Sequence, residues 1–243
     1  MLLNGRMQIP KKSKTSPSQM VVEKIRDQIT SGSLKAGDKL PSERELQNIM
    51  GISRFALREG LARLNALGII TTSHGRSTVV SKVVNTYSLS DIFLPLLSKR
   101  NQKYIDDLVE VRITIEQQTV KKAIQHITEK QIDELIQNIN ETEKHISTIE
   151  QFSENDYSFH LKIAEISNNS FFASFLEAIH SQIKLFINKS IKELYQREKA
   201  LQWHRDILQS IIERNVEKAQ SLIYLHLLDC KDKYAFMSKS EIE

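Results

Sequence analysis

Four residues in the second half of the chain have the chemistry of metal ligands. Asp156 and His160 are four residues apart, so they share one face of a predicted helix, and His204 and His226 each lie in a further apolar stripe. Burying one carboxylate and three imidazoles without partners would be costly. A single cation bound by all four would satisfy them, and this ligand set suits zinc or another divalent metal such as nickel or manganese. The apolar residues on these faces are Phe159, Ile163, Ile207, Leu208, Ile211, Leu222 and Ile223.

The same residues permit simpler interpretations. A histidine on an apolar face is commonly a core residue with a hydrogen-bond partner, and an Asp and a His four residues apart are often an ordinary helix contact. Three histidines and an aspartate would also suit metal-dependent hydrolysis. No separate general base stands in a matching motif, however, so we expect a protein that is not an enzyme.

A second group of residues, near the amino terminus, has the chemistry of DNA recognition. Ser53 begins a predicted helix that carries Arg54 and Arg58, and Arg44 lies on the short helix before it. The planar fork of arginine can bond guanine O6 and N7 together or clamp a phosphate. We expect Ser53, Arg54 and Arg58 to face DNA and Arg44 to reach in from the preceding helix. The alternative is a solvated arginine face.

Local signals place these residues on three helices and a hairpin. Apolar residues repeat at helical spacing from Ser18 until Gly32, Ser42 and Glu45 form a capping box, and Ser53 caps a third helix. The β-prone segments 69–72 and 78–80 then flank a turn. Three helices followed by a hairpin predict a winged helix-turn-helix over residues 18–81, whose third helix enters the major groove.

Composition divides the 243-residue chain in the same place. All seven glycines lie within the first 75 residues, and 148 residues follow the last proline, Pro95. Residues 1–81 hold 13 Lys and Arg against 6 Asp and Glu, whereas the remainder holds 21 against 24. A basic first part and a mildly acidic second part favour a polyanion-binding domain followed by a separate body.

The remaining segments complete a mainly α fold. Residues 1–17 are predicted to be a flexible basic arm, and 82–101 a linker with a short helix near 89–97. Residues 102–238 are predicted to form an all-α antiparallel bundle. Its helices are expected at 102–126, 129–149, 153–167, 171–199, 203–213 and 215–237. The lone Cys230, the lack of an apolar run of about 20 residues and the lack of a signal-peptide core lead us to expect a cytoplasmic protein without a membrane anchor.

Residues 18–81 resemble the GntR family of bacterial transcription regulators. The resemblance rests on the spacing of Gly32 and Gly68 around P-S-E-R-E-L at 41–46, G-I-S-R at 51–54 and L-R-E at 57–59. It implies that Arg44, Arg54 and Arg58 contact the operator and that His74 and Gly75, at the tip of the wing, enter the minor groove. Residues 55–56 depart from the small polar residues of many members, which bears on base preference.

Residues 104–228 are similar to the FCD ligand-binding domain of the FadR-like branch of that family. The similarity rests on D-Y-S-F-H at 156–160, S-N-N at 167–169, L-V-E-V-R at 108–112, and the two later histidines. In members that contain a metal, the positions equivalent to Asp156, His160, His204 and His226 hold the cation. Trp203 is a departure, because a Glu often precedes the histidine there.

Together these features predict a homodimeric, metabolite-responsive transcription regulator of a palindromic operator, with repression favoured over activation. Effector binding in the bundle would shift the spacing of two DNA-binding heads. A small carboxylate is the expected effector, held by the metal, by Arg112 and by Asn169. A pairing of Arg112 with Glu116, four residues on, is the structural alternative for that arginine. A metal-free response to acyl-CoA is the alternative effector class.

Overall fold

The computed structural model describes residues 15–72, 77–82, 93, 95 and 102–240. The chain divides into two compact units, Met1–Ser88 and Leu89–Glu243, which are called here the head and the body. Both are predominantly helical, and the head adds a small two-stranded sheet. The predicted mainly α fold, with a winged helix-turn-helix before a helical domain, is confirmed.

The head contains three helices and two short strands among its described residues. The strands pair antiparallel, with Ile70 opposite Val80, and Lys39 bridges to Val79 from the loop before the second helix. The predicted wing tip, His74 and Gly75, lies outside the described residues. The elements are α1 (Pro17–Thr30), α2 (Glu43–Met50), α3 (Arg54–Ala66), β1 (Ile70–Thr71) and β2 (Val79–Val80).

Side-chain caps fix where α2 and α3 begin, as the sequence predicted. The hydroxyl of Ser42 accepts a bond from the Glu45 backbone N–H, and the Glu45 carboxylate accepts one from the Ser42 N–H at 2.8 Å. The Ser53 hydroxyl accepts from the backbone N–H of Ala56 at 3.2 Å. Between the two helices Gly51 adopts a left-handed conformation, with a φ of 62°. These caps set the turn that presents the first residues of α3.

A core of its own holds the head together. Helices α1 and α3 pack so closely that a Cβ atom on Gly60 would lie 2.8 Å from the Ser18 carbonyl oxygen and 2.6 Å from the Val21 Cβ. Glycine at position 60 therefore permits this approach. The buried residues of this core are Val21, Val22, Ile25, Leu40, Leu46, Leu57, Leu61, Leu64, Ile70 and Val80.

Seven described helices of the body enclose a larger apolar core. Aliphatic and aromatic side chains from all seven contribute to it, and the candidate metal ligands lie on three of these helices. The helices are α4 (Gln102–His126), α5 (Glu129–Lys144), α6 (Ile149–Ile166), α7 (Ser170–Ala178), α8 (His180–Ser190), α9 (Leu194–Ile212) and α10 (Val216–Ser240).

The predicted single helix over 171–199 is wrong. The helical conformation is interrupted at Ile179 and again after Ile191. Helix α9 begins at Leu194, nine residues before the predicted start at 203. The guanidinium of Arg197 donates to the carbonyl oxygens of Ile191 and Lys192 at 2.7 and 2.8 Å, so it satisfies acceptors that a helix end leaves free. A second break therefore forms without glycine or proline.

Other helix limits differ less from the prediction. Helix α5 ends at Lys144 rather than 149, and α6 begins at Ile149 rather than 153. The short helix expected near 89–97 lies mostly outside the described residues, although Phe93 packs edge-on against Phe175 with ring centres 6.0 Å apart. Among the described helices, none is long and apolar enough to cross a lipid bilayer.

Candidate functional site

The structure brings all four predicted metal ligands together in the middle of the body. Asp156 and His160 lie one turn apart on α6, His204 comes from α9 and His226 from α10. One ligand atom from each lies within 4.8 Å of the other three. All four side chains are buried, and His204 is fully inaccessible to solvent.

The short distances between the side-chain nitrogen and oxygen atoms of these four residues show that the atoms converge on one point. The Nε2 atoms of His160 and His226 are 3.3 Å apart, and His204 Nε2 lies 3.4 Å from an Asp156 carboxylate oxygen. Neither ring nitrogen of His204 has a hydrogen-bond partner among the described residues, nor has Nδ1 of His226. Burying polar atoms without hydrogen-bond partners costs free energy of folding. A cation bound between these groups would offset that cost.

Burial also sets the charge state of the group. It lowers the pKa values of His204 and His226 well below the usual histidine value, so both rings are neutral at pH 7. Burial raises the pKa of Asp156, although the neighbouring His160 and Arg112 act to lower it. Neutral imidazoles and an ionised carboxylate are the forms that bind a divalent cation, and a bound cation would favour the ionised form of Asp156 that burial alone disfavours. The buried residues can therefore hold a metal ion.

Glu116, a buried acid, completes the site. The sequence predicted it only as a partner of Arg112. Glu116 Oε1 accepts from Arg112 Nε at 2.7 Å, and Glu116 Oε2 lies 2.6 Å from His160 Nδ1. Burial by itself would raise the pKa of Glu116, but Arg112 and His160 outweigh it and lower the pKa to about 2. The contact at Nδ1 directs Nε2 of His160 toward the other three ligands.

Packing holds the histidine rings in place. Phe159 stacks on His204 with ring centres 4.3 Å apart, and the Trp203 ring lies 6.4 Å from that of His226. Trp203 Nε1 donates to Asp229 at 3.3 Å, so the residue noted as a departure before His204 is anchored to α10. Rings fixed in this way need little rearrangement to act as ligands.

The two residues predicted to bind an effector have structural partners. Arg112 is 2% exposed and forms the predicted alternative pair with Glu116. Asn169 caps α7, because its side-chain oxygen accepts from the Phe171 backbone N–H at 3.1 Å. Their roles toward an effector stay predictions.

The residues predicted to contact DNA lie on the surface of the head. Arg54 and Arg58 have 74% and 67% of their side chains exposed at the start of α3, and Arg44 is exposed on α2. Glu43 lies 3.9 Å from the Nε atoms of both α3 arginines. Ser53 is exposed and caps the helix. At this distance the exposed ion pairs are weak, so both guanidinium groups are available to another anion.

Comparison with known proteins identifies both units. Residues 17–80 match bacterial regulatory proteins of the gntR family, and residues 107–229 match the FCD domain. The chain is 29% identical over 219 residues to the uncharacterized HTH-type transcriptional regulator YcbG of Bacillus subtilis, covering 89% of each chain. It is 30% identical over 223 residues to the Glc operon transcriptional activator of Escherichia coli, covering 88% of this chain and 87% of that one. A solved structure of a Streptococcus agalactiae GntR protein has a similar fold, with a TM-score of 0.67 and 23% identity over 88% of this chain and 99% of that one.

Replacing Glu116 by Gln should destabilise the body in a pH-dependent way. In metal-free protein at pH 7 we expect the free energy of unfolding to fall by about 3 kcal/mol, because Arg112 loses its buried partner. The pKa of Glu116 is about 2 in the folded protein and 4.5 ordinarily, so its contribution is complete above pH 4.5 and declines as the pH falls toward 2. Urea unfolding at several pH values should show the difference between parent and variant shrinking below pH 4.5. Glu110→Gln, at an exposed position of the same helix, should change stability by less than about 0.5 kcal/mol; a comparable loss there would contradict the assignment.

Proposed function

Since the chain belongs to the GntR family of bacterial regulatory proteins and carries an FCD domain, it is a DNA-binding transcription regulator, and we propose that its body binds one divalent metal ion and a small carboxylate effector. One observation carries the proposal: four buried ligand atoms lie within 4.8 Å of one another, and neither ring nitrogen of His204 has a hydrogen-bond partner in the described part of the chain. A regulator of operator DNA acts in the cytoplasm.

Zinc is the metal we propose, with nickel and manganese as the alternatives. The holding residues are Asp156, His160, His204 and His226, three imidazole nitrogens and one carboxylate oxygen. These donors suit the borderline character of zinc and of its first-row neighbours. When bound, the cation supplies a positive centre to which an anionic oxygen of the effector is attracted.

A carboxylate effector is supported by the charge of the surroundings. Arg112 is a buried cation whose charge reaches Asp156, His204 and His226. A metal ion would add positive charge to the same interior. Because Glu116 balances the charge of Arg112, the metal ion would supply the excess positive charge that attracts an anionic oxygen, and this attraction must exceed the cost of removing the anion from water. We keep Arg112 and Asn169 as proposed effector contacts.

The proposed mode of DNA binding is that of a symmetric dimer on a palindrome. Each head presents Arg44, Arg54 and Arg58 from α2 and α3, with the wing tip at His74 and Gly75 toward the minor groove. Two heads related by a two-fold axis would read two half-sites about one helical turn apart or a multiple of it. Effector binding would then act by favouring one arrangement of the heads over another.

The two alternatives receive less support. A metal-free, acyl-CoA-responsive body gives no reason for four buried ligand groups that converge on one point. A metal-dependent hydrolase would leave the arginines on the head without a purpose, and the relatives that this chain resembles are transcription regulators by name. Turnover assays with sugar acids and organic acids test the second alternative directly.

Arg58→Ala should weaken operator binding by about 1–3 kcal/mol, because a guanidinium that reaches a base edge or a phosphate is lost. The DNA probe is a duplex enriched from a random library by the parent protein, and affinity is measured by gel shift at a fixed salt concentration. Dimerisation, followed by analytical ultracentrifugation, should not change. Arg63→Ala is the matched control, an exposed arginine in the last turn of the same helix. Equal losses in the two variants would contradict the proposed docking of α3.

His204→Ala should lower metal affinity by at least about 100-fold, because one of four ligands is removed. Elemental analysis of the purified protein measures bound metal, and thermal unfolding with and without a chelator measures its effect on stability. The chelator should lower the melting temperature of the parent and leave that of the variant nearly unchanged. Trp203, the single tryptophan of the chain, lies near His226 and offers a fluorescence signal for metal titrations. His126→Ala, at an exposed histidine of α4, should behave as the parent; equal metal content in parent and His204→Ala would contradict the site.

Arg112→Lys tests the effector site. Lysine keeps the charge and can still meet Glu116, but it loses the planar fork that binds a carboxylate through two bonds. We expect normal metal content and operator binding, with the effector midpoint shifted about tenfold or more upward. A panel of small carboxylates is screened by thermal shift, and fluorescence anisotropy on operator DNA then gives the midpoints. Arg197→Lys serves as the control, because that buried arginine donates to backbone carbonyls instead. Identical midpoints for parent and Arg112→Lys would return Arg112 to a structural role.

A further inference from the structure

Phe55 is an exposed aromatic residue at the start of α3, next to arginines proposed to bind DNA. Its side chain is 80% accessible in the head, whereas the next two residues along α3, Ala56 and Leu57, are buried in the core. The ring therefore contributes little to the packing of the head. Exposing an apolar ring to water costs free energy, and burying the ring against a binding partner would recover it.

The position of Phe55 in the helix determines which partner can reach it. Ser53 caps α3, so Arg54 is its first residue and Phe55 its second. Residues at the amino-terminal end of a recognition helix contact base edges in the major groove. Arg54 precedes Phe55 directly, Arg58 follows three residues later as a neighbour on the helix surface, and both arginines are exposed. Phe55 is therefore flanked along α3 by two cations that DNA attracts.

A phenylalanine side chain has no donor or acceptor, so it cannot read the hydrogen-bonding pattern of a base pair. The apolar feature that the major groove offers is the 5-methyl group of thymine. We propose that Phe55 contacts a thymine methyl group in each operator half-site and so sets a preference for thymine beside the bases or phosphates that the two arginines contact. This inference rests on the proposed docking of α3 in the major groove.

Phe171 is a second exposed phenylalanine, in the body, that has no positively charged neighbours in the sequence. It is 84% exposed and is also the second residue of a capped helix, α7, behind Asn169. No arginine or lysine lies within four residues of it in the sequence. The two positions share residue type, exposure and place in the helix, and they differ in the neighbouring charge. Phe171 is therefore a matched control.

The test compares thymine with deoxyuridine, which lacks only the methyl group. Full-length parent protein first enriches duplexes from a random library, and each thymine of the enriched half-site is then replaced by deoxyuridine. At one position per half-site we expect the parent to bind about fourfold more weakly, the equivalent of one buried methyl group, and about fifteenfold more weakly when both half-sites are changed. Phe55→Ser should bind thymine and deoxyuridine duplexes equally, whereas Phe55→Leu should keep part of the difference. Phe171→Ser should behave as the parent.

The outcomes separate this inference from the function on which it rests. Enrichment of a sequence by the parent with no methyl effect at any thymine would overturn the role of Phe55 and leave operator binding intact. The same methyl effect in parent and Phe55→Ser would also overturn it. Failure of the parent to enrich any sequence would overturn the proposed operator recognition and the inference with it. Circular dichroism melting of both Phe55 variants checks that the head is folded, and Phe55→Leu supplies the comparison if Phe55→Ser is unstable.

Discussion

The body depends on one buried charge arrangement, in which the carboxylate of Glu116 lies between Arg112 and His160. All three side chains are at most 3% exposed, and the two contacts measure 2.7 and 2.6 Å. A charge in such an interior is tolerated when an opposite charge and hydrogen-bonding groups surround it. The arrangement joins α4 to α6, and through His160 it reaches His226 on α10. The apolar core is thus organised around a polar centre.

This centre links ligand binding to helix position. The candidate ligands come from α6, α9 and α10, and His160 is oriented by an acid on α4. A cation that draws the four ligand atoms together must also hold those helices at fixed distances. Well-packed interiors respond to such constraints by moving whole elements, because side chains at close packing have little room to adjust. A body built in this way would convert the binding of the proposed anionic effector into a displacement of helices.

The head, unlike the body, has no buried ion pair among its described residues and is held together by apolar packing and helix caps. Its core is mainly apolar in the described residues, with Ser18 as a buried polar residue, and side-chain caps define where α2 and α3 begin. Its exposed surface carries arginines, with Glu43 3.9 Å from two of them. A carboxylate there opposes a phosphate and so reduces attraction to DNA of any sequence, whereas a correctly placed guanidinium still gains a base or phosphate contact. In the proposed docking, Glu43 would therefore favour discrimination between sequences over affinity for DNA in general. Separate cores would allow the head to retain this surface while the body responds to the proposed effector.

The sequence by itself determined the features that depend on residues three or four positions apart. The capping box at Ser42 and Glu45, the cap at Ser53 and the shared helix face of Asp156 and His160 are of this kind. The spacing of Arg112 and Glu116 offered their pairing as an alternative, and the structure forms that pair. Tertiary structure decided what depends on distant segments. The breaks on either side of α8 formed without glycine or proline, and Arg197 satisfies carbonyl groups at the second break and also bonds Ile146, 51 residues earlier. The contact of Glu116 with His160 likewise joins two helices. Helical periodicity records which face of a helix is apolar, but it carries no information on which atoms of another helix will meet that face.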